Sequence, residues 1–292
     1  MTAAAAPGAT TDPRGAPRRR PVRWSGPLVY ALALAVVAVT AVPVVYVILG
    51  GFRSNGQLAA HPVGWPSPWI TDNYVRVLTS SAFWSQVLAS TVTALVATGG
   101  VVALGVGAAF VLARYQFRGR EGLYTFFTLG LLFPLSVAIL PLYLLLRNLG
   151  LLGSLAGVAI PQIAFALPVT IIILRPFLQA IPQELEDAAS IDGCGRLGFF
   201  WRILLPLSGP GLVTVGVLAF VTSWNAYLLP LLVLNDPATF TLPLGVQAFS
   251  TQYSQDTAAI LAFTSLAMLP ALLFFTLAER RIVGGLTGAV KG

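Results

Sequence analysis

The sequence predicts an all-α integral membrane protein with six transmembrane helices. Of 292 residues, 57% are hydrophobic and 9% charged, and the mean hydropathy is +0.83. A soluble domain carries about 25% charged residues, and so few charges cannot cover a water-exposed surface of this size. Six long runs lack Asp, Glu, Lys, Arg and His altogether. The basic residues, finally, gather on one side of those runs.

Residues 1–24 are Ala, Pro, Gly and Arg with almost no bulky apolar residue, so they are expected to form a disordered basic segment. The first span follows at about 27–52, inside an uncharged run from Trp24 to Phe52 that can cross ~30 Å of hydrocarbon. A secretory signal would have an apolar stretch of only about 7–15 residues, so this run is read as a span. The other spans are expected at about 86–113, 122–146, 153–174, 207–234 and 257–278, within further long uncharged runs. Together they make a six-span membrane domain over 25–283, followed by a tail at 284–292. Pro43, Pro134, Pro141, Pro168, Pro230 and Pro270 fall inside the spans, which helix bundles tolerate where neighbours satisfy the freed backbone groups.

Six spans put both termini on one face. With the termini inside, the inner loops hold Arg14, Arg18, Arg19, Arg20, Arg23, Arg114, Arg118, Arg120, Arg175, Arg196, Arg202, Arg280, Arg281 and Lys291. Only Arg53, Arg76 and Arg147 remain outside. The positive-inside rule therefore predicts cytoplasmic termini in a multi-pass cell-membrane protein. The net charge of +7 reports this orientation, with attraction of the N-terminal arginines to anionic lipid as an addition, and gives no reason to expect a nucleic-acid partner.

Several function classes are excluded. Cys194 is the only cysteine and His61 the only histidine, so no intrachain disulfide, Cys framework or His-cluster metal site can form. The spans hold no ionisable group to carry a coupling proton, which argues against an ion-coupled secondary carrier, although sodium sites built from carbonyls escape that argument. Neither an HExxH, a GxSxG constellation nor a Walker A loop is present. If the chain moves a solute uphill, another subunit must supply the energy.

The most informative stretch lies in the cytoplasmic loop 179–206 between the fourth and fifth runs. Pro182 suits a first helical turn, and Glu184, Glu186 and Asp187 favourably meet the positive helix end. Gly193 can end that helix in a left-handed cap, after Asp192. Arg196 and Arg202 then alternate with Leu197, Phe199, Phe200, Ile203 and Leu204, which reads as a second helix with an apolar surface leading into span five. Such a helix–glycine–helix element is suited to a partner's groove. The plainer reading is an interfacial loop with acidic helix-start residues.

Asp187-Ala188-Ala189, then three residues, Gly193, nine residues and Ile203-Leu204-Leu205-Pro206 resemble the EAA loop of ABC importer permeases, with Asp in place of the first Glu. Asp72-Asn73-Tyr74, Ala113-Arg114-Tyr115, Phe117-Arg118-Gly119, Ile191-Asp192-Gly193, Ser223-Trp224-Asn225 and the tail Gly285–Gly292 are similar to the carbohydrate-importer branch, the maltose-permease-like type. The resemblance covers roughly residues 27–292. It implies a type I ABC importer permease bundle, a transport subunit and not an enzyme. It also implies a second permease subunit, two cytoplasmic ATPase subunits docked on the EAA loops, and an extracytoplasmic sugar-binding protein. ATP and Mg²⁺ would then be used by the partner ATPase, with no cofactor bound by this chain. A polyol or glycerol phosphate is the alternative solute within the same class.

Ser223, Trp224, Asn225 and Tyr227 are the candidate solute-path residues, since amides and aromatic faces suit hydroxylated rings. Helix–helix hydrogen bonding is the structural alternative. Ser136, Gln162, Thr264 and Ser265 are further candidates of the same kind. Trp65, Trp69 and Trp84 are expected in an interfacial aromatic belt, and His61 in solvent.

Overall fold

The structure, a computed structural model, describes residues 26–251 and 254–289. The arginine-rich segment 1–24 and the last tail residues, 290–292, lie outside that range. Among the described residues there is no β-strand beyond one isolated bridge between Ser250 and Gln255. The chain divides into two compact units, Met1–Val45 and Tyr46–Gly292. The first unit contributes most of α1 (Pro27–Gly50), an apolar helix with Pro43 inside it.

The second unit opens with two short helices, α2 (Asn55–Ala60) and α3 (Asp72–Thr79). Ser54 and Gln57 start α2 with a reciprocal capping box, each side chain satisfying the other's backbone N–H. The Asp72-Asn73-Tyr74 sequence acts as a staple here. Asn73 Nδ2 donates to the Gly51 and Arg53 carbonyls, both at 2.9 Å, and the Tyr74 hydroxyl donates to the Ile48 carbonyl at 2.8 Å.

Next come α4 (Ser81–Arg114), α5 (Arg120–Gly130), α6 (Leu135–Asn148) and α7 (Leu155–Gln179). With 34 residues, α4 is about 50 Å long and outreaches the ~30 Å hydrocarbon layer. It packs closely on α7 because Gly100 and Gly105 leave room for Ile163 and Thr170, which press where a Cβ would stand. Small residues at such contacts let membrane helices approach when no hydrophobic drive separates helix from lipid.

The 179–206 loop contains α8 (Glu184–Ile191), α9 (Arg196–Phe199), a π turn (Phe200–Leu204) and α10 (Leu205–Leu207). Then follow α11 (Gly209–Trp224), α12 (Leu228–Val233), α13 (Leu242–Gly245) and α14 (Thr257–Ala289). The helical backbone of α14 runs past the expected span end at 278 to Ala289.

Four helices are long and apolar enough to cross a bilayer, namely α1, α4, α7 and α14, the last over Thr257–Thr276. Two bent pairs bring the number to six if each is one span. The α5–α6 pair bends by 98° at Leu131–Pro134, within the uncharged run 122–146. The Pro134 ring would clash with the carbonyl four residues back, at Gly130, and Gly130 is the last residue of α5. The same rule acts at Pro230, which blocks continuation through Ala226 and leaves Asn225–Tyr227 as a break between α11 and α12. The second bent pair, Arg196–Leu207 with α11, turns by 75°.

Candidate functional site

The acidic helix α8 begins at Glu184 with Gln183 as its N-cap, so Pro182 precedes the first turn. Its end is a Schellman motif. The Gly193 N–H donates to the Ser190 carbonyl at 3.1 Å, and the Cys194 N–H to the Ala189 carbonyl at 2.8 Å. Gly193 sits at φ +76°, a conformation that glycine adopts without a Cβ penalty. Asp192 is the C-cap. The cap satisfies carbonyls that α8 would otherwise expose, and it fixes the angle at which the chain leaves the helix.

Within α8, Ala189 is buried, while Glu184, Asp187 and Ala188 face solvent and Glu186 is half-buried. Ala189 joins Phe199, Phe200 and Leu204 in a core cluster with Val106, Ala109 and Phe110 of α4, Leu174 and Leu178 of α7, and Val215 of α11. Phe199, Phe200 and Leu204 of the expected apolar surface therefore anchor the loop to the bundle, while Leu197 stays exposed. Leu185, Ile191, Leu197 and Trp201 are the large apolar residues left exposed, Ile191 at 87%. Ile203 and Leu205 are half-buried and Pro206 is exposed.

At its far end the loop meets the C-terminus of α4. The Arg114 side chain is 7% exposed; its Nη2 donates to the Ile181 carbonyl at 2.7 Å and its Nη1 lies 3.9 Å from Glu186 Oε2. The Tyr115 phenol is pushed up from its usual range by burial first and by the Glu186 charge second, against the opposing charge of Arg196. Nearby, Arg175 of α7 pairs with Glu121 and donates from Nε to the Leu112 carbonyl at 3.2 Å. Its guanidinium lies 4.0 Å from the centre of the Tyr124 ring. The start of α5 is thereby tied to α7 and α4.

The four solute-path candidates split into different environments around the Asn225–Tyr227 break. Ser223 is buried and donates to Gln162 Oε1 at 2.6 Å. Trp224 is buried, stacked on Phe220 with ring centres 5.6 Å apart, and donates from its indole to the Ala267 carbonyl at 3.3 Å. Asn225 is exposed and donates to the Val221 carbonyl. Tyr227 is exposed, and its hydroxyl accepts from Gln247 Nε2 at 2.8 Å. Two cavities flank the break. One, of about 340 Å³, has Gln162, Phe165, Thr222 and Tyr227 in a mostly apolar wall. The other, of about 360 Å³, brings Trp224, Asn225 and Thr264 together. Ser265 is buried and bonded to its own helix at the Leu261 carbonyl, and Ser136 is exposed on α6.

Gln247 and Arg114 are the functional candidates that the sequence did not single out. Gln247 meets Tyr227 only through a fold contact 20 residues apart. Arg114 was visible as part of a motif, but not as a contact to the loop. Among the described residues, no group of three or more His, Cys, Asp or Glu could hold a metal ion.

These features define a polytopic helical membrane protein whose distinguishing element is a capped helix pair outside the spans. The chain belongs to the family of binding-protein-dependent transport system inner membrane components, whose family model matches residues 101–284. It is thus a multi-pass inner-membrane transport subunit and not an enzyme. It is 33% identical over 260 residues to the diacetylchitobiose uptake system permease protein NgcG of Streptomyces coelicolor, covering 88% of this chain and 86% of that one. To the trehalose transport system permease protein SugB of Mycobacterium tuberculosis it is 36% identical over 230 residues, covering 78% and 84%. A solved bacterial ABC transporter involved in the import of the acidic polysaccharide alginate has the same fold. The match has a TM-score of 0.75 at 21% identity, over 87% of this chain and 95% of that one.

Proposed function

We propose that this chain and a second permease subunit form the translocation pathway of an ATP-driven importer for a mono- or oligosaccharide. In this reading both termini are cytoplasmic, an extracytoplasmic binding protein delivers the sugar, and two cytoplasmic ATPase subunits dock on the permease loops. The sugar assignment is supported by the relatives named for diacetylchitobiose and trehalose.

The observation that carries the coupling role is the loop's two-faced construction. Phe199, Phe200, Leu204 and Ala189 weld it to α4, α7 and α11. Leu185, Ile191, Leu197 and Trp201 stand out in solvent beside Glu184, Asp187 and Asp192. Exposed apolar anchors on a short helix fit a partner's groove. Because the Schellman cap fixes the angle after α8 and the welded face moves with the bundle, force on α8 becomes a rigid-body motion. The 75° turn into α11 carries that motion to the helix that ends at Ser223, Trp224 and Asn225. ATP and Mg²⁺ act in the ATPase; this chain's residues supply the docking surface and the path.

The test is mild-detergent purification of the tagged chain from native membranes, then reconstitution with the binding protein. A second permease and an ATPase that co-purify, with ATP-dependent uptake of a sugar, are the expected result. A chain that purifies alone and transports in proteoliposomes without ATP would overturn the reading.

A further inference from the structure

The C-terminus of α4 touches both arms of the 179–206 loop. Arg114 reaches the arm before Gly193: it holds the Ile181 carbonyl at 2.7 Å and stands 3.9 Å from Glu186. Tyr115 reaches the arm after it, with the Arg196 guanidinium 5.0 Å from the ring centre. One turn back, Phe110 meets the Tyr115 ring edge-on at 5.3 Å and the Phe200 ring at 4.9 Å. Among the described residues, Arg114 Nε and the Tyr115 hydroxyl are buried without a hydrogen-bond partner.

We infer that Arg114 and Tyr115 are positioning residues that clamp the two arms of the loop together and carry its displacement into α4. The inference rests on the coupling role proposed above. Its consequence is directional. α4 packs against α7 at Gly100 and Gly105, and α7 and α11 together line the 340 Å³ cavity through residues such as Gln162, Phe165, Val215 and Thr222. A push on α8 therefore reaches the candidate path through α4 and α7 as well as through α11. Without the clamp, only the packing of Ala189 and Ile181 would hold the first arm to the bundle, and less of its displacement would pass to α4.

The experiment uses the whole importer in proteoliposomes and reads sugar transported per ATP hydrolysed. Arg114→Gln and Tyr115→Leu are expected to assemble, to keep hydrolysis within about twofold, and to lower the transport-to-hydrolysis ratio about tenfold. Arg114→Lys, which still reaches the Ile181 carbonyl, should restore most of the ratio, and Tyr115→Phe, which keeps the ring, should match the parent chain. Arg196→Gln, on an exposed side chain, carries the test should an α4 variant fail to assemble, and should also lower the ratio. A ratio that stays at the parent value in assembled Arg114→Gln, Tyr115→Leu or Arg196→Gln complexes would overturn the clamp. Cross-linking of a cysteine at Leu197 to the ATPase separates the two ideas. A cross-link with an unchanged ratio refutes the clamp alone, and no cross-link in an assembled complex refutes the coupling role beneath it.

Discussion

The Ser223 hydroxyl donates to Gln162 Oε1 at 2.6 Å across 61 positions of sequence, joining α11 to α7 where Gln162 lines the 340 Å³ cavity. Gln162 Nε2 has no hydrogen-bond partner among the described residues. Hydrogen bonds between membrane helices average about 0.6 kcal/mol and reach about 1.7. In detergent unfolding, Ser223→Ala and Gln162→Leu should each lower the stability, and the double variant should lose less than their sum by about that amount. Strict additivity would show that the pair does not act as a unit.

Gly193 tests the capped loop. A Cβ there meets nothing within 4 Å, so a substitution is penalised through its positive φ and not through a clash. Left-handed backbone costs an L-residue roughly 1–2 kcal/mol, and Asn tolerates it best. Gly193→Val should cut uptake about tenfold or more while the protein still reaches the membrane, Gly193→Asp should do the same through its added charge, and Gly193→Asn should be the mildest. Uptake at the parent level in Gly193→Val would remove the claim that the cap sets the docking angle.

Asp256 links α2 and α3 to the start of α14. It accepts from Arg76 at 2.6 Å, from Asn55 at 3.0 Å and from the Ala259 amide at 3.2 Å. Burial alone would raise its pKa; the hydrogen bonds from Arg76, Asn55 and Ala259 and the Arg76 charge outweigh burial and hold it below its usual 3.8. A carboxyl whose folded pKa is depressed contributes stability above the unfolded value and loses it as pH falls through the folded one. The contribution is whole at neutral pH and begins to fade near 3.8. Because Arg76 is largely exposed, its magnitude is about 1 kcal/mol or less. Asp256→Asn, which keeps the cap geometry, should lower the midpoint of thermal unfolding at pH 7 and flatten its fall between about pH 4.5 and pH 3. An unchanged acid limb would contradict this assignment.

Cys194 is the only thiol in the chain and is partly exposed beside the Gly193 cap. A membrane-impermeant maleimide should modify it in inside-out vesicles and not in intact cells. Modification in intact cells would reverse the orientation read from the arginines.

The 179–206 loop was the most legible part of the sequence because its determinants are local. Acids at the start of α8 and Gly193 at its end act within one helix. The burial of Phe199, Phe200 and Leu204 was not legible, since which face of a short helix turns inward depends on α4 and α7. The uncharged runs marked membrane segments but concealed their breaks. Composition is continuous across Leu131–Pro134 and Asn225–Tyr227, and only the reach of Pro134 and Pro230 back by four residues accounts for them. The contacts of Ser223 with Gln162 and of Arg114 with Ile181 join residues more than sixty positions apart. No periodicity encodes such pairs.

The measurement that bears most directly on the central claim is site-directed cross-linking from the tip of α8. Ile191, 87% exposed, is replaced by cysteine in a Cys194→Ser chain, and the purified importer is treated with a short bifunctional thiol reagent through a complementary cysteine on the ATPase. The expected result is a covalent adduct of permease and ATPase whose yield changes when ATP is bound. An assembled, hydrolysing complex that gives no adduct from position 191 or 197 would contradict the role assigned to the loop.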